Sequence, residues 1–175
     1  IGTALTEKLF LDGHDIIGLS RTSRSGDDKI QWVQHDLYYD PISNLKIPHD
    51  IHVIYHLAGQ TSTYAAKEDP IEDININVLG FLNLLEFFRK RKSKAFVVHA
   101  GTATEVGLTD KLPIHEGMSD RPVTFYDISK LTSELYLKQY IREGWISGCT
   151  LRLSNVFGKS NDAQQRDRGI IDKVF

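Results

Sequence analysis

The sequence predicts an α/β domain built on a doubly wound parallel sheet. Three observations predict it. Short apolar runs at 14–20, 31–37, 50–59, 96–102 and 150–155 read as strands, and they alternate with helix-period segments at 1–13, 69–91 and 125–141. Small or polar residues gather where those runs end, which is how an open α/β sheet builds a site. Finally, Tyr126 and Lys130 stand four residues apart in the last helical segment, and no other Tyr of the chain has a Lys at that spacing.

The 175 residues are 41% hydrophobic and 25% charged, enough for one globular domain with a core. A formal net charge of -2 gives no electrostatic footprint for nucleic acid or an anionic membrane. The one cysteine, Cys149, closes no intrachain disulfide, which fits a reducing cytoplasm. No apolar run has the length of a membrane span.

In chain order, Leu5, Leu9 and Phe10 form the stripe of the first helix, and Gly13 is its stop signal. The run at 31–37 alternates and ends in Asp36-Leu37. The run at 50–59 reads as a buried strand closing on Leu57-Ala58-Gly59, small residues that let backbone approach a ligand. His52 and His56 share a strand face. With no carboxylate or cysteine cluster to complete a metal site, they read as packed or hydrogen-bonded histidines. Asp69-Pro70 opens a long helix to about Arg91 that is apolar nearly all round, so part of it must meet something besides the sheet. The run at 96–102 enters a Gly/Thr-rich turn containing Thr102, Thr104 and Glu105.

The helix from Phe125 sets Tyr126 and Lys130 on one face. A free phenol has a pKa of about 10, and a nearby ammonium lowers it. The pair can take a proton from a hydroxyl while hydride leaves the carbon beneath.

The ordered set Asp36-Leu37, Leu57-Ala58-Gly59, Asn77-x-x-Gly80, Thr102, Tyr126-x-x-x-Lys130 and Asn155 resembles the extended short-chain dehydrogenase/reductases, the NAD(P)-dependent epimerase/dehydratase family acting on nucleotide sugars. The resemblance covers almost the whole chain. It implies a Rossmann domain at 1–158, lacking its first strand and most of its glycine-rich turn, and the start of a smaller substrate-binding region at 159–175. Gly2 matches the third glycine of that turn, and about a dozen residues are expected to precede it. The expected strand order is 3-2-1-4-5-6 with the first strand missing from the middle.

The resemblance also implies roles. Thr102 hydrogen-bonds the reacting oxygen, Tyr126 is the acid/base, and Lys130 lowers the Tyr pKa and holds the nicotinamide ribose. Asp36 and Leu37 contact adenine; Leu57, Ala58, Gly59 and Asn77 line the cofactor; Thr61 and Asn155 serve the nucleotide sugar. At the end of the second strand, where an acid marks NAD, the chain has Ser20 and Arg21 and no acid until Asp27. That gives NADP an edge over NAD, with both left open. The 4,6-dehydratases of the family carry an Asp-Glu pair after the Thr, whereas Ala103-Thr104 stands here. Ala103 cannot move a proton, so an epimerase or a 4-keto-sugar reductase is expected. A non-catalytic dinucleotide sensor is the alternative. A homodimer is expected through the helices at 69–91 and 124–142, with Phe88 among the outward positions.

Overall fold

The computed structural model describes residues 1–24 and 30–156. The segment at 159–175, the Asp27 region and Gly158 lie outside the described residues. Five strands form: β1 (Ile17–Ser20), β2 (Gln31–Gln34), β3 (Val53–His56), β4 (Phe96–Thr102) and β5 (Ser147–Leu153). Their helices are α1 (Gly2–Leu11), α2 (Thr63–Glu68), α3 (Pro70–Ile74), α4 (Gly80–Lys90) and α5 (Phe125–Arg142). All pairings are parallel. The described strands make two sheets, β1-β2 and β3-β4-β5, so β1 and β3 each have one edge without a strand partner. The orders within the two sheets, β1-β2 and β3-β4-β5, agree with the corresponding parts of the expected order.

Helix ends follow local chemistry. α1 ends at Asp12, and Gly13 takes φ 83°, the left-handed stop that glycine supplies without a Cβ clash. Asp69 caps α3, accepting from the Glu72 N–H at 2.9 Å, with Pro70 in the first turn. The long helix expected from Asp69 is interrupted: residues Asn75–Leu79 form a π-helical turn before α4 resumes. α5 opens on a capping box in which Thr124 Oγ1 accepts from the Asp127 N–H and Asp127 accepts from the Thr124 N–H, both at 3.1 Å.

The core lies between β3-β4-β5 and α4-α5, around Phe81, Leu84, Leu85, Phe88, Val97 and Leu137. Phe88 is therefore an inward residue, 3% exposed, and not the outward position expected. The expected burial of the 50–59 strand also needs correction. His56 is buried, but Val53 and Tyr55 are 45% and 41% exposed, because alternate residues of β3 face opposite sides of the sheet. Phe96 and Leu151 share that open side. α1 reaches it through Ile1 and Leu5, which line an apolar cavity of about 190 Å³ with Tyr55, Leu57, Val98 and Leu151.

Candidate active site

The C-terminal ends of β3 and β4 and the start of α5 meet at one edge of the larger sheet. Tyr126 is half-buried in the first turn of α5, and Lys130 follows one turn later, 6% exposed. Burial pushes the Lys130 ammonium down to about 8, against the opposing pull of Glu105 and Asp73.

Thr102 ends β4 and is 8% exposed. Its turn is a second capping box, in which the Thr102 N–H donates to Glu105 Oε1 at 3.0 Å. Glu105 is fully buried, and burial pushes its carboxyl up to about 7, with Glu134 adding to the rise. Arg152 locks this corner. It donates to Glu134 from Nε (2.9 Å) and Nη2 (2.7 Å) and to Asp120 from Nη1 (2.6 Å). Glu105 Oε2 lies 3.1 Å from the same Nε, whose proton is taken by Glu134.

The hydroxyls beside Thr102 form a continuous line. Thr102 Oγ1 and Thr104 Oγ1 are 2.8 Å apart, and Thr104 Oγ1 donates to Asp127 Oδ1 at 2.5 Å. Asp127 immediately follows Tyr126, so this line ties the end of β4 to the turn that carries the tyrosine.

The other expected site residues separate into two groups. Ala58, Gly59, Thr61 and Asn155 are exposed and Leu57 is half-buried, all at strand ends or just past them. Ser20 sits within 3.4 Å of Thr22 Oγ1, and Arg21 is exposed with its carbonyl bonded by Gln34. Arg24, in the same turn, lies over the Trp32 ring at 4.6 Å. Asp36 is half-buried, with Oδ1 accepting from the Tyr38 and Tyr39 N–H groups. Leu37 packs against the core edge, and its carbonyl accepts from Asn83.

Asn77 is different. It is 1% exposed and its amide is committed to protein partners: Nδ2 donates to the Gln60 carbonyl and Asp73 Oδ1, and Oδ1 accepts from the Gln60 N–H. Both its amide protons are used within the protein, so Asn77 braces the loop after β3. It also explains Gly59, where a Cβ would lie 2.8 Å from Asn77 Oδ1. At Gly2 a Cβ would meet Leu57 at 3.8 Å, an ordinary contact, so close packing does not by itself demand glycine there.

The histidines settle differently from a metal pair. His52 is exposed, while buried His56 bonds His99 across the strands, Nδ1 to Nδ1 at 3.1 Å, with Phe81 stacked on both. Burial holds both rings neutral, His99 down to about 3. Among the described residues no cluster of three metal-ligating side chains forms. No described helix is long and apolar enough to cross a membrane.

The model of the NAD dependent epimerase/dehydratase family matches residues 1–175. The chain belongs to that family. It is 30% identical over 166 residues to a putative UDP-glucose 4-epimerase of Methanocaldococcus jannaschii, covering 93% of this chain and 54% of the relative. The chain spans about half the length of the curated relatives it matches. A UDP-N-acetylglucosamine 4-epimerase from Methanobrevibacter ruminantium, solved with UDP-N-acetylmuramic acid, superposes with a TM-score of 0.85 at 22% identity, over 98% of this chain and 57% of that one. A UDP-glucose 4-epimerase from Thermus thermophilus in complex with NAD superposes at 0.78 with 25% identity, over 92% and 54%. The family's Rossmann-like α/β fold with parallel strands is thus the fold of this chain.

Sequence reasoning missed the Thr104–Asp127 bond, the role of Glu105 and the His56–His99 pair. The two capping boxes had a readable signal, Thr102-x-x-Glu105 and Thr124-x-x-Asp127. Bonds between residues far apart in sequence had none.

Proposed function

We propose that the full-length protein is a nucleotide-sugar 4-epimerase that binds NAD or NADP and inverts C4 of a UDP-linked hexose. The observation that supports it most is the convergence of Thr102, Tyr126 and Lys130 at one strand edge, held by the Thr104–Asp127 and Thr102–Glu105 bonds. A UDP-sugar is favoured by the relatives and solved structures named above.

The nicotinamide supplies hydride acceptance and return. Tyr126 takes the proton of the C4 hydroxyl and returns it to the same oxygen once the keto sugar has turned its opposite face to the returning hydride. Lys130, one helical turn away, makes the phenol an adequate base. Thr102 engages the reacting oxygen. Lys130 holds the nicotinamide ribose, and the loop after β3, braced by Asn77, presents Leu57, Ala58 and Gly59 to the cofactor. Asp36 and Leu37 face adenine. The choice between NAD and NADP rests with Ser20 and Arg21; Arg21 is exposed, and a guanidinium suits a 2'-phosphate. Thr61 and Asn155 are assigned to the sugar nucleotide.

A homodimer is part of this reading. Tyr64, Ile71, Ile74, Ile128, Leu135 and Tyr136 are exposed on α2, α3 and α5, which pack together. Tyr64 and Ile128 also line a groove of about 390 Å³ between α2 and the start of α5. Two copies meeting there bury the same patch on each, as an isologous contact requires.

The test is UDP-glucose deuterated at C4, given to the full-length protein. Inversion at C4 with deuterium retained supports epimerisation through a held cofactor. Consumption of added NADPH with a 4-keto sugar, without inversion, replaces it by the reductase reading. A sensor shows neither and is unaffected by Tyr126→Phe.

A further inference from the structure

Counting protons along the hydroxyl line at the end of β4 fixes its direction. Asp127 accepts on both oxygens: Oδ2 takes the Thr124 N–H at 3.1 Å and the Thr124 hydroxyl at 2.8 Å, and Oδ1 takes the Thr104 hydroxyl at 2.5 Å. A threonine hydroxyl has one proton and two lone pairs. Thr104 gives its proton to Asp127, so towards Thr102 it can only accept. The 2.8 Å contact between the two hydroxyls is then a bond donated by Thr102. One lone pair of Thr102 Oγ1 is occupied by the Thr104 N–H at 3.3 Å. Among the described residues, what Thr102 has left for the site is a single lone pair.

We propose that Thr104 and Asp127 are positioning residues that set the polarity of Thr102: its hydroxyl rests as an acceptor towards the site, matched to a sugar alcohol and mismatched to a sugar ketone. This rests on the assignment of Thr102 to the reacting oxygen, and deepens it. To donate to a carbonyl, Thr102 must turn its proton away from Thr104 and give up that bond. Thr104 therefore competes with the keto intermediate for the same proton. The alcohol, the form that enters and leaves an epimerase, is the form the resting site accommodates, its proton resting on Thr102 until the Tyr126 phenolate draws it off as hydride leaves. Thr104 is exposed, and its β-branched shape is kept by valine, so Thr104→Val removes the hydroxyl while leaving the turn's packing intact.

The experiment has two arms on the full-length protein. Hydroxyl-proton NMR without ligand reads the bonds themselves. Wild type shows slowly exchanging hydroxyl protons at Thr102 and Thr104, and in Thr104→Val the Thr102 proton exchanges freely. Calorimetry then compares UDP-glucose, bound with reduced cofactor, and a UDP-4-keto-6-deoxyglucose, bound with oxidised cofactor. The ratio of the ketone's dissociation constant to the alcohol's falls about 3- to 10-fold in Thr104→Val, the scale of one hydrogen bond, and returns to the wild-type value in Thr104→Ser. A purely structural bond would lower the melting temperature and leave that ratio alone. Fast exchange of Thr102 in wild type, or an unchanged ratio in Thr104→Val, overturns the proposal. Protected hydroxyls in a protein that binds neither sugar overturn the epimerase reading instead, and with it the part of the proposal that concerns substrate.

Discussion

Replacing Lys130 by methionine should make the folded protein more stable while disabling it. Lys130 is 6% exposed, and burial brings its ammonium from 10.5 to about 8. A depression of that size corresponds to about 3 kcal/mol that the charged side chain costs the fold at neutral pH, at 1.36 kcal/mol for each pKa unit. Methionine matches the stem in length and carries no charge to desolvate. The attraction of the ammonium to Glu105 and Asp73 is already inside that shift and is counted once. The gain expected is then up to about 3 kcal/mol. The sign with pH is distinct. A lysine whose folded pKa is depressed binds fewer protons folded than unfolded between about 8 and 10.5, so wild-type stability rises with pH across that window. Lys130→Met loses that rise. Urea unfolding of the cofactor-free full-length protein at neutral pH and near pH 10 measures both. A methionine variant less stable than wild type at neutral pH, or a wild type whose stability falls through the window, refutes the assignment of Lys130 as a buried cost retained for function.

The other predictions concern catalysis, the loop after β3 and assembly. Tyr126→Phe keeps the ring and removes the proton-carrying oxygen, so turnover should drop by about 10²–10⁴-fold with cofactor affinity nearly unchanged; steady-state rates and a fluorescence titration check this. Asn77→Ala strips three bonds from a fully buried amide and takes the partner from the Gln60 N–H and carbonyl, while Asp73 Oδ1 keeps the Gln60 Nε2 bond. It should cost about 2–4 kcal/mol in denaturant unfolding. Leu135→Asp, on the outward face of α5 where Leu135 is 52% exposed, should give monomer in sedimentation, whereas an unchanged dimer points to another interface.

Much of the fold was legible because it is local. The alternation of strand and helix, the start of α3 at Asp69-Pro70, the stop at Gly13 and the extent of α5 all follow from periodicity and capping chemistry. The π-helical turn at Asn75–Leu79 had no such signal, since the same residues suit an ordinary helix. It sets fully buried Asn77 where it can bond both the loop after β3 and Asp73. The exposure of Val53 and Tyr55 was hidden for another reason. A continuous apolar run describes a strand covered on both faces, but it cannot say which residues provide the cover. Phe88 was misplaced because a helix apolar nearly all round does not reveal which side meets the sheet. At the site, Tyr126 and Lys130 were legible from their spacing. Thr104 and Asp127 stand 23 residues apart in sequence and meet only once β4 and α5 pack.

The central claim is that Tyr126, Lys130 and Thr102 move hydride and proton at C4 of a nucleotide sugar. Its most direct measurement is the near-ultraviolet absorbance of reduced nicotinamide when UDP-glucose is mixed rapidly with the full-length protein carrying oxidised cofactor. The reduced band should appear transiently in wild type and slow by about 10²-fold or more in Tyr126→Phe. A wild-type protein with bound cofactor and sugar that shows no reduced band, or a Tyr126→Phe variant that forms it at the wild-type rate, contradicts the account.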